Sequence, residues 1–170
     1  MTKFNTLFAS LTIVLSVVFF SFSAKTFEEQ LPSIELKDID GNTVNIQDFG
    51  NNGKITIISF WATWCGPCIK ELDNMNELYE DWVEDYGLEL IAVSVDDARN
   101  IPKVKPMVNG RGWPYNVLLD ENRDLSRALN VSNPPMTFLI DKEGNIVYKH
   151  TGYTEGAEYK LLDEIKKLVK

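Results

Sequence analysis

Ile55-Thr56-Ile57-Ile58-Ser59-Phe60-Trp61-Ala62-Thr63-Trp64-Cys65-Gly66-Pro67-Cys68 is the stretch whose reading decides the fold. Its opening run, Ile55 to Phe60, is almost continuously apolar, the pattern of a strand covered on both faces of a sheet. Beyond Pro67 the period changes. Ile69, Leu72, Met75, Leu78, Tyr79, Trp82 and Val83 recur at helical spacing, and Gly87 ends the segment. Leu88 to Val95 is a second apolar run. Strand, helix and strand in this order predict a βαβ unit, with parallel pairing and a right-handed crossover.

Working outward, Ile34, Leu36 and Ile39 alternate with polar residues, and Asp40-Gly41 signals a turn before Val44 and Ile46. That predicts an N-terminal hairpin. From Asp96 to Arg111 the pattern is broken by Pro102 and Pro106, although Pro102 could open a short helix. Tyr115–Leu119 reads as a strand, Leu125–Leu129 as a short helix and Thr137–Ile140 as another strand. Glu143-Gly144-Asn145 turns the chain into Ile146-Val147-Tyr148. A last helix puts Tyr159, Leu161, Leu162, Ile165, Leu168 and Val169 on one broad face. The expected class is α/β with a mixed sheet, parallel in the middle and antiparallel at its end.

The chain of 170 residues is enough for one domain and too short for two comfortable ones. Its net charge of −8 and its lack of a basic stripe argue against nucleic acid as a partner. Residues 1–24 read as a secretory signal. Lys3 is followed by a charge-free stretch from Phe4 to Ala24, with an apolar heart from Leu7 to Phe22 and small residues at Ser21 and Ser23. The alternative is an uncleaved membrane anchor, although the heart is short for a full span. Residues 25–170 then form the folded domain, on the exported side of a membrane in either case.

Cys65 and Cys68 are the chain's two cysteines. In an exported protein such a pair is usually a staple, but closing so short a loop removes little unfolded-chain entropy. A reactive dithiol explains the spacing better. One thiolate attacks and a second thiol resolves the mixed disulfide. Cys65 falls where the helix begins, so free N–H groups and the helix dipole favour its thiolate, while Cys68 lies one turn in and deeper. Gly66 and Pro67 shape the intervening turn. Zinc would need more ligands than two cysteines and the distant His150, so no metal and no cofactor is expected. His150, at a strand end before Thr151-Gly152, is expected at the surface or in a capping role.

Phe60 to Cys68 resembles the active-site signature of the thioredoxin superfamily. Glu71, the stretch Ala92-Val93-Ser94-Val95-Asp96-Asp97 and the stretch Pro135-Met136-Thr137-Phe138-Leu139-Ile140-Asp141 resemble the exported TlpA/ResA-like branch. The likeness runs from Ile34 to Lys170. It implies a thioredoxin-like three-layer fold with a mixed central sheet, an N-terminal hairpin and a central insertion over about Asp96–Leu119. It also implies that Cys65 is the nucleophile, that Cys68 resolves, and that Pro135 is a cis-proline facing the dithiol. Substrate would then meet Trp64, an exposed apolar platform, together with Pro134 and Pro135. The activity implied is that of a thiol–disulfide oxidoreductase reducing protein disulfides at the outer face of a membrane or in a periplasm. Its electrons would come from a membrane-embedded dithiol donor, and apocytochrome c is a substrate this branch often serves.

Three departures stand out. Ser59 occupies the place of thioredoxin's buried Asp, Asp73 that of its helix-kinking Pro, and Met136 that of the branch's Thr after the cis-proline. The proton acceptor for Cys68 is therefore open: Glu71 is the nearest carboxylate in sequence, or it faces solvent. Two rival activities are expected to fail. A peroxiredoxin-like peroxidase would carry Pro and Thr where Ile58 and Ala62 stand. A Cu(I)-binding dithiol is chemically allowed, but the copper branch of the fold has a wider Cys spacing and a ligand His.

Overall fold

The structure, a computed structural model, describes residues 29–170. The signal or anchor expected over residues 1–24 lies outside the described residues. No helix among the described residues is long and apolar enough to cross a membrane. Strands β1 (Glu35–Asp38), β2 (Thr43–Asn45), β3 (Thr56–Trp61), β4 (Glu89–Ser94), β5 (Asn116–Leu119), β6 (Met136–Ile140) and β7 (Ile146–Thr151) make one sheet, ordered β2-β1-β5-β4-β3-β6-β7. Helices α1 (Gln47–Gly50), α2 (Gly66–Tyr86), α3 (Ile101–Arg111), α4 (Asp124–Ala128) and α5 (Ala157–Leu168) complete the chain.

The sheet is parallel at its centre, β3–β4–β5, and antiparallel on both flanks. Every residue of β3 is buried, so the sheet's middle is covered on both faces, as the thioredoxin-like three-layer α/β fold requires. On one face Phe60 and Phe138 pack edge to face at 5.8 Å; on the other Trp61 meets Trp113 at 5.0 Å. Burying each such side chain contributes roughly 1.5–3 kcal/mol. The expected hairpin is present, and β1 joins it to β5, so the insertion enters the sheet rather than looping over it.

Helix α3 runs for 11 residues despite its two prolines. Pro102 sits in the first turn, where a missing N–H has no helical partner to lose. Pro106 does forfeit an internal bond. The helix survives because both ends are fixed and its inner face is buried. Asp97 accepts the N–H groups of Arg99 and Asn100, Gly112 closes the far end at φ 66°, and Val104 and Val108 are buried. Asp73, in place of the usual kinking Pro, fastens the insertion to α2. Its carboxylate accepts from Trp113 Nε1 at 2.9 Å and pairs with Arg111. The broad face expected for the last helix is narrower. Leu161 and Ile165 are buried, but Tyr159 and Val169 are exposed, as is Val83 on α2.

The turn between β6 and β7 touches the end of α1. Gly144 has φ +87°, and a Cβ there would lie 2.5 Å from the Gly50 carbonyl oxygen. Neither backbone can give way cheaply. Gly144→Ala is therefore expected to lower stability by about 2 kcal/mol, read as a lower urea midpoint at unchanged slope.

Candidate active site

The dithiol sits where β3 hands over to α2. Cys65 is the N-cap of α2, in extended backbone, and its Sγ accepts the Cys68 N–H at 3.3 Å. A sulfur in that position receives one of the amide protons a helix start leaves unpaired, which favours its thiolate. The two cysteines form a disulfide. Both are buried, Cys65 at 6% exposure and Cys68 fully, so Cys65 is the nearer of the two to solvent. Gly66 and Pro67 are exposed in the first turn, and Trp64, beside Cys65, is 60% exposed.

Two clamps hold this corner. Cys65 N–H donates to the Ala62 carbonyl at 3.0 Å. Asp96, fully buried at the end of β4, accepts from the Thr63 N–H at 2.8 Å, the Thr63 hydroxyl at 2.7 Å and the Ser94 hydroxyl at 2.9 Å. The short approach to the dithiol is thus tied to the neighbouring strand rather than left as a free loop.

The Pro134–Pro135 peptide is cis. Pro135 is buried, Pro134 half-buried, and the next residue, Met136, pairs with Phe60 near the end of β3. Because β6 runs antiparallel to β3, its proline end lies at the same end of the sheet as the dithiol. Neither proline has an N–H, and the Pro135 carbonyl already accepts from Gly152. Of this pair, the Pro134 carbonyl is the group that a passing chain could engage.

Behind the dithiol, Glu71 is 2% exposed, so the solvent-facing alternative is excluded. It accepts from the Ser59 hydroxyl at 3.4 Å and the Thr137 hydroxyl at 3.1 Å, and bonds His150 Nε2 at 3.0 Å. Ser59, standing at the place of thioredoxin's Asp, therefore reaches a carboxylate supplied from the helix instead of carrying one. His150 corrects the sequence reading. It is neither a cap nor a surface residue but a half-buried partner of Glu71. Asp96 and Thr137 were also missed as site residues. Alternation along β7 was the available signal for His150, which shares a face with the half-buried Ile146 and Tyr148.

Comparison with known proteins agrees with the fold. The model of the AhpC/TSA family matches residues 27–149. The thiol-disulfide oxidoreductase ResA of Bacillus anthracis is 35% identical over 73% of this chain and 69% of its own length. ResA of Bacillus subtilis is 34% identical over 79% of this chain and 73% of its own. The solution structure of an uncharacterized thioredoxin-like protein from Porphyromonas gingivalis is 51% identical, covers 82% of this chain and 91% of its own, and superposes with a TM-score of 0.73.

Proposed function

Since the chain belongs to the AhpC/TSA family, among the ResA-type thiol–disulfide oxidoreductases, we propose that it works outside the cytosol as a reductase of protein disulfides. The observation that carries the reading is a helix N-cap sulfur beside an exposed Trp64, with its partner sulfur buried behind it. Cys65 attacks one sulfur of a substrate disulfide and Cys68 releases the product. Trp64, Pro134 and Pro135 receive the substrate chain. Trp64 offers a flat apolar surface, and the Pro134 carbonyl accepts a backbone N–H. Met136, half-buried beside them, favours an apolar substrate segment. Glu71 takes the Cys68 proton, since the two share one face of α2 three residues apart.

Residues 1–24 serve as a cleaved signal or as an anchor, and either leaves the domain on the exported side. The turn pair Gly66-Pro67 matches that of thioredoxin, among the more reducing members at roughly −270 mV. Such a potential in an oxidising compartment requires electrons from a membrane-embedded dithiol donor, and cytochrome c maturation is a fitting use for them. The test is capture in the native host with Cys68→Ser. The expected adducts are exported cysteine-pair proteins and a membrane dithiol protein, with a measured potential below the local thiol pool. Adducts confined to cytosolic proteins, or a potential above that pool, would reject the reductase reading.

A further inference from the structure

A row of polar side chains crosses the sheet beneath α2. Ser59 on β3 stands opposite Thr137 on β6, and Thr137 stands opposite His150 on β7. Opposed residues point to the same face, and Glu71 meets all three there, at 3.4, 3.1 and 3.0 Å. Ser59 and Thr137 are fully buried and the Glu71 side chain is 3% exposed, but His150, on the edge strand, keeps 19% of its side chain in water. His150 is thus the cluster's contact with solvent. Its other ring nitrogen, Nδ1, is buried and has no partner among the described residues. Nε2 is the nitrogen whose proton would have an acceptor, so the tautomer that fits donates Nε2–H to Glu71.

We propose that His150 is a positioning residue for the resolving step: its Nε2–H fixes the Glu71 carboxylate on the buried face of α2 that also carries Cys68, so that resolution depends on the pair. This rests on the reading of Glu71 as the acceptor of the Cys68 proton. In that step the Cys68 S–H proton passes to a Glu71 oxygen, and the thiolate attacks Cys65 Sγ. The Cys65–Cys68 bond forms as the bond from Cys65 to the substrate sulfur breaks. The substrate sulfur leaves with the electron pair as a thiolate. Over both steps the protein dithiol loses two electrons and the substrate disulfide gains them.

Removing the His150 donor leaves the carboxylate with the Ser59 and Thr137 hydroxyls alone, less firmly placed to take the Cys68 proton. Other titratable groups near the pair are few. Cys68 shares the helix with Glu71, and the Tyr148 ring lies 5.8 Å from the imidazole on β7. Tyr153, between β7 and α5, is pushed up to about 12 by burial and then by the Glu158 charge. It donates to Glu158 and accepts from Asn74 rather than engaging the pair.

The experiment uses the reduced protein and a nitrobenzoate aryl disulfide, which releases one coloured thiolate on attack and a second on resolution. His150→Gln keeps an N–H at the reach of Nε2; His150→Asn is equally polar but too short. Stopped-flow traces of both, with Glu71→Gln alongside, are followed at neutral pH. We expect His150→Asn to slow the second phase about tenfold. The first phase should be unchanged, and His150→Gln should restore most of the rate. Should the two His150 variants both superpose on the wild type while Glu71→Gln loses the second phase, the His150 proposal fails and the Glu71 reading stands. An unchanged second phase in Glu71→Gln removes the Glu71 reading, and this proposal with it.

Discussion

Cys65→Ser is expected to abolish disulfide reduction, whereas Cys68→Ser should still react and then stall as a mixed disulfide with its substrate. The difference follows from where each sulfur sits on α2. Cys65 precedes the first turn, and its Sγ already receives the Cys68 amide proton at 3.3 Å. In the reduced protein that amide, together with the helix dipole, favours a thiolate on Cys65. Cys68 is inside the helix, fully buried, and reaches only a sulfur brought to Cys65. Its removal leaves attack intact and resolution absent. Incubating each variant with a protein disulfide and separating the products without reductant reads the outcome. Alkylation of the reduced wild type at neutral pH should fall mainly on Cys65. An adduct in Cys65→Ser and none in Cys68→Ser would reverse the assignment.

What the sequence revealed, and what it hid, divides along a physical line. Strands β3 and β4 and helix α2 were legible because burial imposes a period on the chain itself. Of the proline-broken insertion only a possible helix start at Pro102 and the strand that became β5 were legible, since the length of α3 is held by Asp97, Gly112 and the buried Val104 and Val108 rather than by propensity. The dithiol was legible because its chemistry is local, spread over four consecutive positions. The polar cluster behind it is not local. Glu71 comes from a helix, Ser59, Thr137 and His150 from three strands, and their meeting depends on a sheet register that no single segment encodes. Glu71 did carry one readable sign. It falls within the stripe formed by Cys68, Leu72 and Met75, so the helix that buries those residues buries it too. A carboxylate on a buried stripe must find donors, and that requirement alone pointed inward.

Asp96 leads to the second large effect, on stability and rate together. Its carboxylate is fully buried and takes three donated bonds, two from Thr63 and one from the Ser94 hydroxyl. Asp96→Ala removes the acceptor and leaves the buried Ser94 hydroxyl and the part-buried Thr63 donors without it, and an unpaired buried group costs about 1–3 kcal/mol. Partial relaxation and entering water would recover some of that, so a net loss of about 3 kcal/mol is expected. Because Thr63 stands two residues before Cys65, the loosened approach should also slow attack on a disulfide. Asp96→Asn keeps one acceptor oxygen and should lose about half as much stability, on the order of 1.5 kcal/mol. Urea unfolding of the oxidised protein measures the first effect, and the rate of the first thiolate release measures the second. If Asp96→Ala unfolds at the wild-type midpoint, the buried carboxylate is not what holds Thr63, and the rigidity assigned to the dithiol's approach has another source.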